Sequence, residues 1–206
     1  MAEAGRLAAI VLAGGRSSRM GRDKAALVLD GETLLQRTAS ALARVVDEIV
    51  IVRAPDQALP PVVVAVPIIE VADPVEGEGP LVGIAAGLEA VSGDAAIIVA
   101  VDMPFLEPAL LRLLVERLRD GDHRWVVPFA EGRPQPLCSA IAVTALPVVR
   151  AHIAAGDRAP MAIGRDLNVL RLPEEQWSRA DPQGRSFVNV NTPEEFEAAR
   201  AAAGGE

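Results

Sequence analysis

Near the start of the chain, the run AAIVLAGGRSSRMGRDKAAL (residues 8–27) brings three glycines, three arginines and a lysine directly behind an apolar stretch. Gly14 and Gly15 let the backbone bend and approach a ligand with no Cβ in the way, which can present N–H groups to phosphate oxygens. Arg16, Arg19, Arg22 and Lys24 add positive charge within nine residues. Lys24 is the only lysine; the other nineteen of the 20 basic residues are arginine. The chemistry such a set supports is the holding of a small phosphorylated ligand, and the plainer reading is a glycine turn with solvated charges. The run contains neither G-x-x-x-x-G-K-[ST] nor G-x-G-x-x-G, so neither a P-loop NTPase nor a dinucleotide dehydrogenase is supported.

Two further places carry chemistry. In IIVAVDMPF (residues 97–105), Asp102 ends an otherwise apolar strand and Pro104 turns the chain away. A carboxylate there can hold a hard cation such as Mg²⁺, which takes its remaining ligands from phosphate and water. The competing role, capping the next helix, belongs more naturally to Glu107 before Pro108. In FVNVNTPEEF (residues 187–196), Asn189 and Asn191 alternate with Val188 and Val190, which predicts both amides on one face of a short strand. Alone, the pair reads better as a way of satisfying backbone groups at a strand end; beside the other two signals the two readings are about even.

These residues need elements to position them. LAAIVLA (residues 7–13), EIVIV (48–52) and AAIIVAV (95–101) are short, apolar and β-branched, as strands covered on both faces should be. VVVAV (62–66), RWVVP (124–128) and LCSAIAV (137–143) are predicted as further strands. Between them lie helical patterns. TLLQRTASALARVV follows a turn at Asp30-Gly31 and places Leu34, Leu35, Thr38, Leu42 and Val45 on one face. GPLVGIAAGLEAV and EPALLRLLVERLRDG each have proline early and glycine late, and TPEEFEAARAAA opens with Thr192 as N-cap and Glu195 three residues on. Strands alternating with helices over the first 130 residues predict βαβ units. The fold class is therefore α/β: a mostly parallel central sheet with helices on both faces, a less regular C-terminal third, and one domain over residues 1–206. In such a sheet ligands sit beyond the carboxyl ends of the strands, where the glycine turn and Asp102 both fall.

Bulk properties narrow the partners. The 20 basic and 28 acidic residues give a formal charge of −8, which argues against nucleic acid or an anionic membrane as partner. No apolar run approaches the ~20 residues needed to cross a bilayer. Residues 7–13 are short enough for a secretory core, but Glu3 flanks them as well as Arg6, and a charged loop follows instead of a cleavage site. The single cysteine, Cys138, excludes an internal disulfide and fits a reducing cytoplasm; set in an apolar strand, it reads as a small core residue. The two histidines, His123 and His152, form no zinc signature.

Taken together, LAGGRSSRMGRDK (12–24), Asp73, GPLVGIAAGL (79–88), VDMPF (101–105), RPQPLCSA (133–140) and FVNVNTPEE (187–195) resemble the molybdenum cofactor guanylyltransferase family, within the Rossmann-like nucleotide-diphospho-sugar transferase fold. The resemblance follows the family's order and extends over nearly the whole chain. It implies transfer of GMP from Mg·GTP to the terminal phosphate of molybdopterin carrying molybdenum, with release of pyrophosphate and with Mg²⁺ as cofactor. By position, Leu12, Ala13 and Gly14 would meet the guanine or ribose through backbone, and Gly15, Arg19 and Lys24 would surround the triphosphate. Asp73 would help hold the nucleoside and Asp102 the metal; Asn189 and Asn191 would lie near the reacting phosphates and the pterin, with Asn191 a further metal contact. The partners implied are GTP, the molybdenum cofactor and, downstream, molybdoenzymes or cofactor-insertion proteins. Arg53 departs from the family, standing where an asparagine near the nucleotide is common.

The sole lysine has a physical reading in this light. An ammonium is a compact donor that enters a crowded phosphate site where a planar guanidinium fits poorly. Nucleotidyl transfer asks for in-line alignment and charge neutralisation, so no Ser-His-Asp or Cys-His set is required, and none is evident. The rival readings are a CTP-dependent cytidylyltransferase acting on the same pterin, a sugar-phosphate nucleotidyltransferase, and a non-catalytic nucleotide-binding assembly subunit. Gly14 in place of the alanine of an L-A-A-G loop favours GTP over CTP. The joint presence of Arg19, Lys24 and Asp102 speaks against a non-catalytic subunit.

Overall fold

The computed structural model describes residues 5–14, 23–73 and 77–203. The expectations placed on Gly15, Arg16, Arg19 and Arg22 lie outside the described residues. The chain runs β1 (Leu7–Leu12), β2 (Val28–Leu29), β3 (Glu32–Thr33), α1 (Leu34–Leu42), β4 (Glu48–Arg53), β5 (Ile68–Ala72), α2 (Pro80–Ala90) and β6 (Ala95–Ala100). It continues with α3 (Pro108–Arg119), β7 (Trp125–Ala130), β8 (Arg133–Pro134), β9 (Cys138–Ala142), α4 (Leu146–Ala154), β10 (Val169–Leu172), α5 (Glu174–Trp177) and α6 (Pro193–Ala203).

The charge-free runs form the middle of the sheet, whose order is β10-β7-β9-β6-β1-β4-β5, with β8 beside β7. β1 pairs in parallel with both β6 and β4, and β4 in turn with β5; β9 is antiparallel to β6 and to β7. Side chains of β1 alternate between two cores. Ala9 and Val11 face α1 and α3, through Leu35, Leu42, Leu110 and Leu114, whereas Ala8 and Ile10 face α2 and α4, through Leu81, Ile84 and Val149. A strand buried on both faces has no polar side to show, which is why its sequence does not alternate. The mostly parallel α/β sheet with helices on both faces is thus observed.

Two prolines sit where helices begin, Pro80 in α2 and Pro108 in α3. The Thr33 hydroxyl caps α1 by accepting from Gln36 N. Thr192 and Glu195 form the reciprocal capping box of α6: Glu195 N donates to Thr192 Oγ1 at 3.2 Å and Thr192 N to Glu195 Oε2 at 3.1 Å. Asp30 and Gly31, at φ 50° and 80°, make the two-residue turn of the β2–β3 hairpin, the turn read from Asp-Gly. α2 lies very close on β1; a Cβ on Gly87 would stand 2.4 Å from Ile10 Cγ2.

Two strand expectations are corrected. VVVAV (62–66) joins no ladder; the Gln36 side-chain amide stands in for a neighbouring strand, accepting from Val63 N at 2.8 Å and donating to Val63 O at 3.0 Å. The edge strand is β5, immediately after it. Residues 188–191 likewise form no strand, and are tied to the sheet's edge by Val190 N donating to Asp102 O at 2.9 Å.

Candidate active site

The ends of β1, β4 and β6 lie side by side because their pairing is parallel: Leu12 stands opposite Val52 and Ala100. Past the ladder, Val101 N donates to Leu12 O at 3.1 Å, and Ala13 N and Gly14 N both donate to Val52 O, at 2.9 and 3.1 Å. The Gly14 turn and Asp102 therefore emerge at the same edge. The N–H of Gly14 points into the sheet, and its lack of a side chain has a different use from the one expected. A Cβ there would stand 2.9 Å from Ala54 N and 3.2 Å from Arg53 C, so only glycine lets the β1 exit pass this close to the β4 exit.

Lys24 opens a 3₁₀ turn, Lys24–Ala26, whose cap is Asp23; Asp23 Oδ1 accepts from Ala25 N at 2.9 Å. From that turn Lys24 Nζ donates to Asp102 Oδ2 and to Asn191 Oδ1, each at 2.7 Å. The partners lie 78 and 167 positions away in sequence. The Lys24 and Asp102 side chains are 18% and 15% exposed, so this is a charge-assisted pair largely shielded from water. Asn191 is held by its own backbone, its N–H donating to Glu195 Oε2 at 2.6 Å. The α6 capping box thus delivers an amide to the site.

Asp102 Oδ1 is buried and, among the described residues, has no hydrogen-bond partner. An orphaned carboxylate oxygen costs ~1–3 kcal/mol or more, and it is the atom of this site with unused capacity to accept. Among the described residues no group of three or more His, Cys, Asp or Glu side chains could hold a metal. Asp102 with Asn191 still fits Mg²⁺, a hard ion that takes one or two protein oxygens and completes its shell with phosphate and water.

The other expected residues are placed as follows. Asp73 follows β5 at the same edge of the sheet, its N–H donating to Arg53 O at 2.7 Å. It lies two strands beyond β1, on the order of 10 Å away by strand spacing. Asn189 is not drawn to Lys24; its side chain turns back to donate to Phe187 O at 3.1 Å. Arg53 folds onto its own loop, donating to Ala54 O at 3.0 Å and Pro55 O at 2.5 Å, with Glu70 3.6 Å away. One residue was not foreseen. Gln57, in the irregular stretch after β4, bonds to Ala13 and Asp23, and partners 44 and 34 positions away leave no local signal.

Sequence and structural comparison decides the family: the MobA-like NTP transferase domain matches residues 9–172. The chain belongs to this family. As a MobA-like protein it is a nucleotidyltransferase. It is 34% identical over 201 residues to a probable molybdenum cofactor guanylyltransferase of Chloroflexus aggregans, covering 95% of this chain and 94% of that one. It is also 34% identical over 194 residues to the molybdenum cofactor guanylyltransferase of Desulfosudis oleivorans, covering 94% of each. In three dimensions it is similar to molybdopterin-guanine dinucleotide biosynthesis protein A of Archaeoglobus fulgidus, with TM-score 0.79 and 24% identity over 97% of this chain and all of that one. A 2-C-methyl-D-erythritol 4-phosphate cytidylyltransferase of Thermus thermophilus shares the fold, with TM-score 0.69 and 18% identity over 95% and 98% of the two chains.

Proposed function

We propose that this MobA-like protein transfers GMP from Mg·GTP to the terminal phosphate of molybdopterin carrying molybdenum, and releases pyrophosphate. The observation that carries the reading is the convergence of Lys24, Asp102 and Asn191 beyond the β1 and β6 ends, with Asp102 Oδ1 left unpartnered. The guanylyl part of the reading is supported by the names of the curated relatives. Gly14 adds less to it than its sequence pattern promises, because its contact with Ala54 accounts for a glycine whatever the base.

In the reaction, an oxygen of the acceptor's terminal phosphate forms a bond to the α-phosphorus of GTP. The bond from that phosphorus to the bridging oxygen breaks, and the electron pair leaves with pyrophosphate. Lys24 is placed to donate to phosphate oxygens as charge develops on the leaving group, exchanging one of its two present acceptors for them. Asp102 and Asn191 are the residues that would hold Mg²⁺, which when bound neutralises and aligns phosphate oxygens. Asp73, on the β5 side, would help hold the nucleoside, and the segment around Asn189 would meet the acceptor. Arg19 and Gly15 keep their proposed roles around the triphosphate on the family pattern alone.

The test is pyrophosphate release from GTP, CTP or UTP with Mg²⁺ and molybdopterin. Release with GTP well above the other two is expected. Preference for CTP would reassign the base, and tight GTP binding without release would make the protein a nucleotide-binding subunit.

A further inference from the structure

Beyond the hydrogen bonds to Val52 O, the β4 exit meets the β1 exit in two further ways. One is the close approach of Gly14 to the Ala54 backbone. The other contact is Gln57, whose Nε2 donates to Ala13 O at 3.1 Å and to the Asp23 carboxylate at 2.9 and 2.8 Å. An amide nitrogen has two hydrogens, so one serves Ala13 and the other is shared between the two Asp23 oxygens. The Gln57 side chain is itself fixed: its Oε1 accepts from Ala54 N at 3.0 Å, and its own N–H donates to Ala54 O at 3.1 Å, closing a tight turn.

We infer that Gln57 is a positioning residue of the nucleotide site, fixing where Lys24 stands relative to the Gly14 turn. Ala13 directly precedes Gly14 and Asp23 directly precedes Lys24, so one nitrogen ties the backbone carbonyl before Gly14 to the carboxylate before Lys24. The bond reaches Lys24 through Asp23, whose Oδ1 also caps the 3₁₀ turn that Lys24 opens. Its chemistry suits the task. A neutral amide holds a carboxylate without placing a second cation where it would compete for the triphosphate. Asp23, for its part, accepts from Gln57 and Ala25, not from the lysine beside it, which leaves the ammonium free to reach Asp102 and Asn191. Misplacement of a charged donor by about 1 Å is enough to cost on the order of 10²-fold in a transfer reaction. The inference rests on the reading of Lys24 and the Gly14 turn as nucleotide contacts.

Because Lys24 is the only lysine, its amine can be followed by itself. The experiment acylates folded protein with an N-hydroxysuccinimide ester and reads Lys24 by peptide mass spectrometry, first without nucleotide. In Gln57→Leu, which keeps the bulk and removes the bonds, acylation of Lys24 is expected to be about fivefold or more faster than in the parent protein, as its ties to Asp102 and Asn191 loosen. Asp23→Asn, which weakens the same bond from the other side, is expected to move in the same direction and serves if the leucine variant does not fold. In turnover, KM for GTP is expected to rise about tenfold in Gln57→Leu with KM for the pterin unchanged, a split that a general loss of packing would not give. Unchanged Lys24 reactivity and unchanged KM for GTP in both folded variants would overturn the role of Gln57. Failure of Mg·GTP to protect Lys24 in the parent protein would instead overturn the nucleotide reading beneath it.

Discussion

Lys24 is a single ammonium between a carboxylate and an amide oxygen, both at 2.7 Å, and its worth lies in being small and shielded. An Arg in its place would bring a planar fork to a site shaped around a point donor. Lys24→Ala and Asp102→Ala are each expected to lower turnover by ~10²–10³ while circular dichroism shows the fold intact, the size of effect seen when one electrostatic contact to a developing charge is lost. Near-normal turnover in folded Asp102→Ala would overturn its proposed role as metal ligand. Lys24→Arg is expected to recover little of the loss, which separates the need for shape from the need for charge.

At the scale of elements, the two ends of the sheet do different work. Glu48 opens β4 at the end away from the site and is buried, accepting from Ser92 N at 2.7 Å and Ser92 Oγ at 2.6 Å just beyond α2. Glu48→Ala leaves both donors without their acceptor and is expected to cost about 1–3 kcal/mol, read as a fall in thermal midpoint, with KM for GTP unchanged. His152 joins α4 to the segment after it: its Nδ1 lies 2.7 Å from Asp157 Oδ2 and its Nε2 2.8 Å from Asp166 Oδ2. The hydrogen bond to Asp157, and next that to Asp166, raises the imidazole above its ordinary value of 6.5. A raised folded value means that the stabilisation is fully present below pH 6.5 and is lost as pH climbs through the raised value. The margin in thermal midpoint between the parent protein and His152→Ala is therefore expected to shrink from about pH 5 to about pH 9. A margin that grew with pH would refute the paired imidazolium.

For the whole molecule, the sheet separates two apolar cores, and Cys138 on β9 is buried in the one beneath α1 and α3. Burial, and then the nearby Asp181, pushes its thiol up to about 12. A thiol so protonated and enclosed does not react near neutral pH. Alkylation of Cys138 is expected to proceed only as fast as the molecule opens, with one equivalent taken up at once in denaturant. Rapid labelling of the folded protein would show that β9 and its neighbours open locally. Among the described residues no helix is long and apolar enough to cross a membrane.

The sequence by itself determined what local chemistry can determine. The runs LAAIVLA and AAIIVAV had to be doubly covered strands; proline-first patterns had to start helices; Thr192 and Glu195 had to cap one; Asp30-Gly31 had to turn. Lys24, Asp102 and Asn191 were singled out because a lone lysine, a carboxylate ending an apolar strand and an amide before a helix cap are visible without coordinates. What only the tertiary structure decided is how these parts meet. Parallel register puts the ends of β1 and β6 together, and the 2.7 Å bonds from Lys24 span up to 167 positions, a separation no periodicity encodes. The same holds for Asn189, whose pattern matches that of Asn191 while its side chain turns elsewhere, and for VVVAV, which has strand composition but a glutamine amide in place of a partner strand. Gln57 is the clearest case. Nothing near it in the chain distinguishes it, because its acceptors, Ala13 O past the end of β1 and the Asp23 carboxylate at the 3₁₀ turn, lie 44 and 34 positions away, and a long-range hydrogen bond leaves its mark only in space.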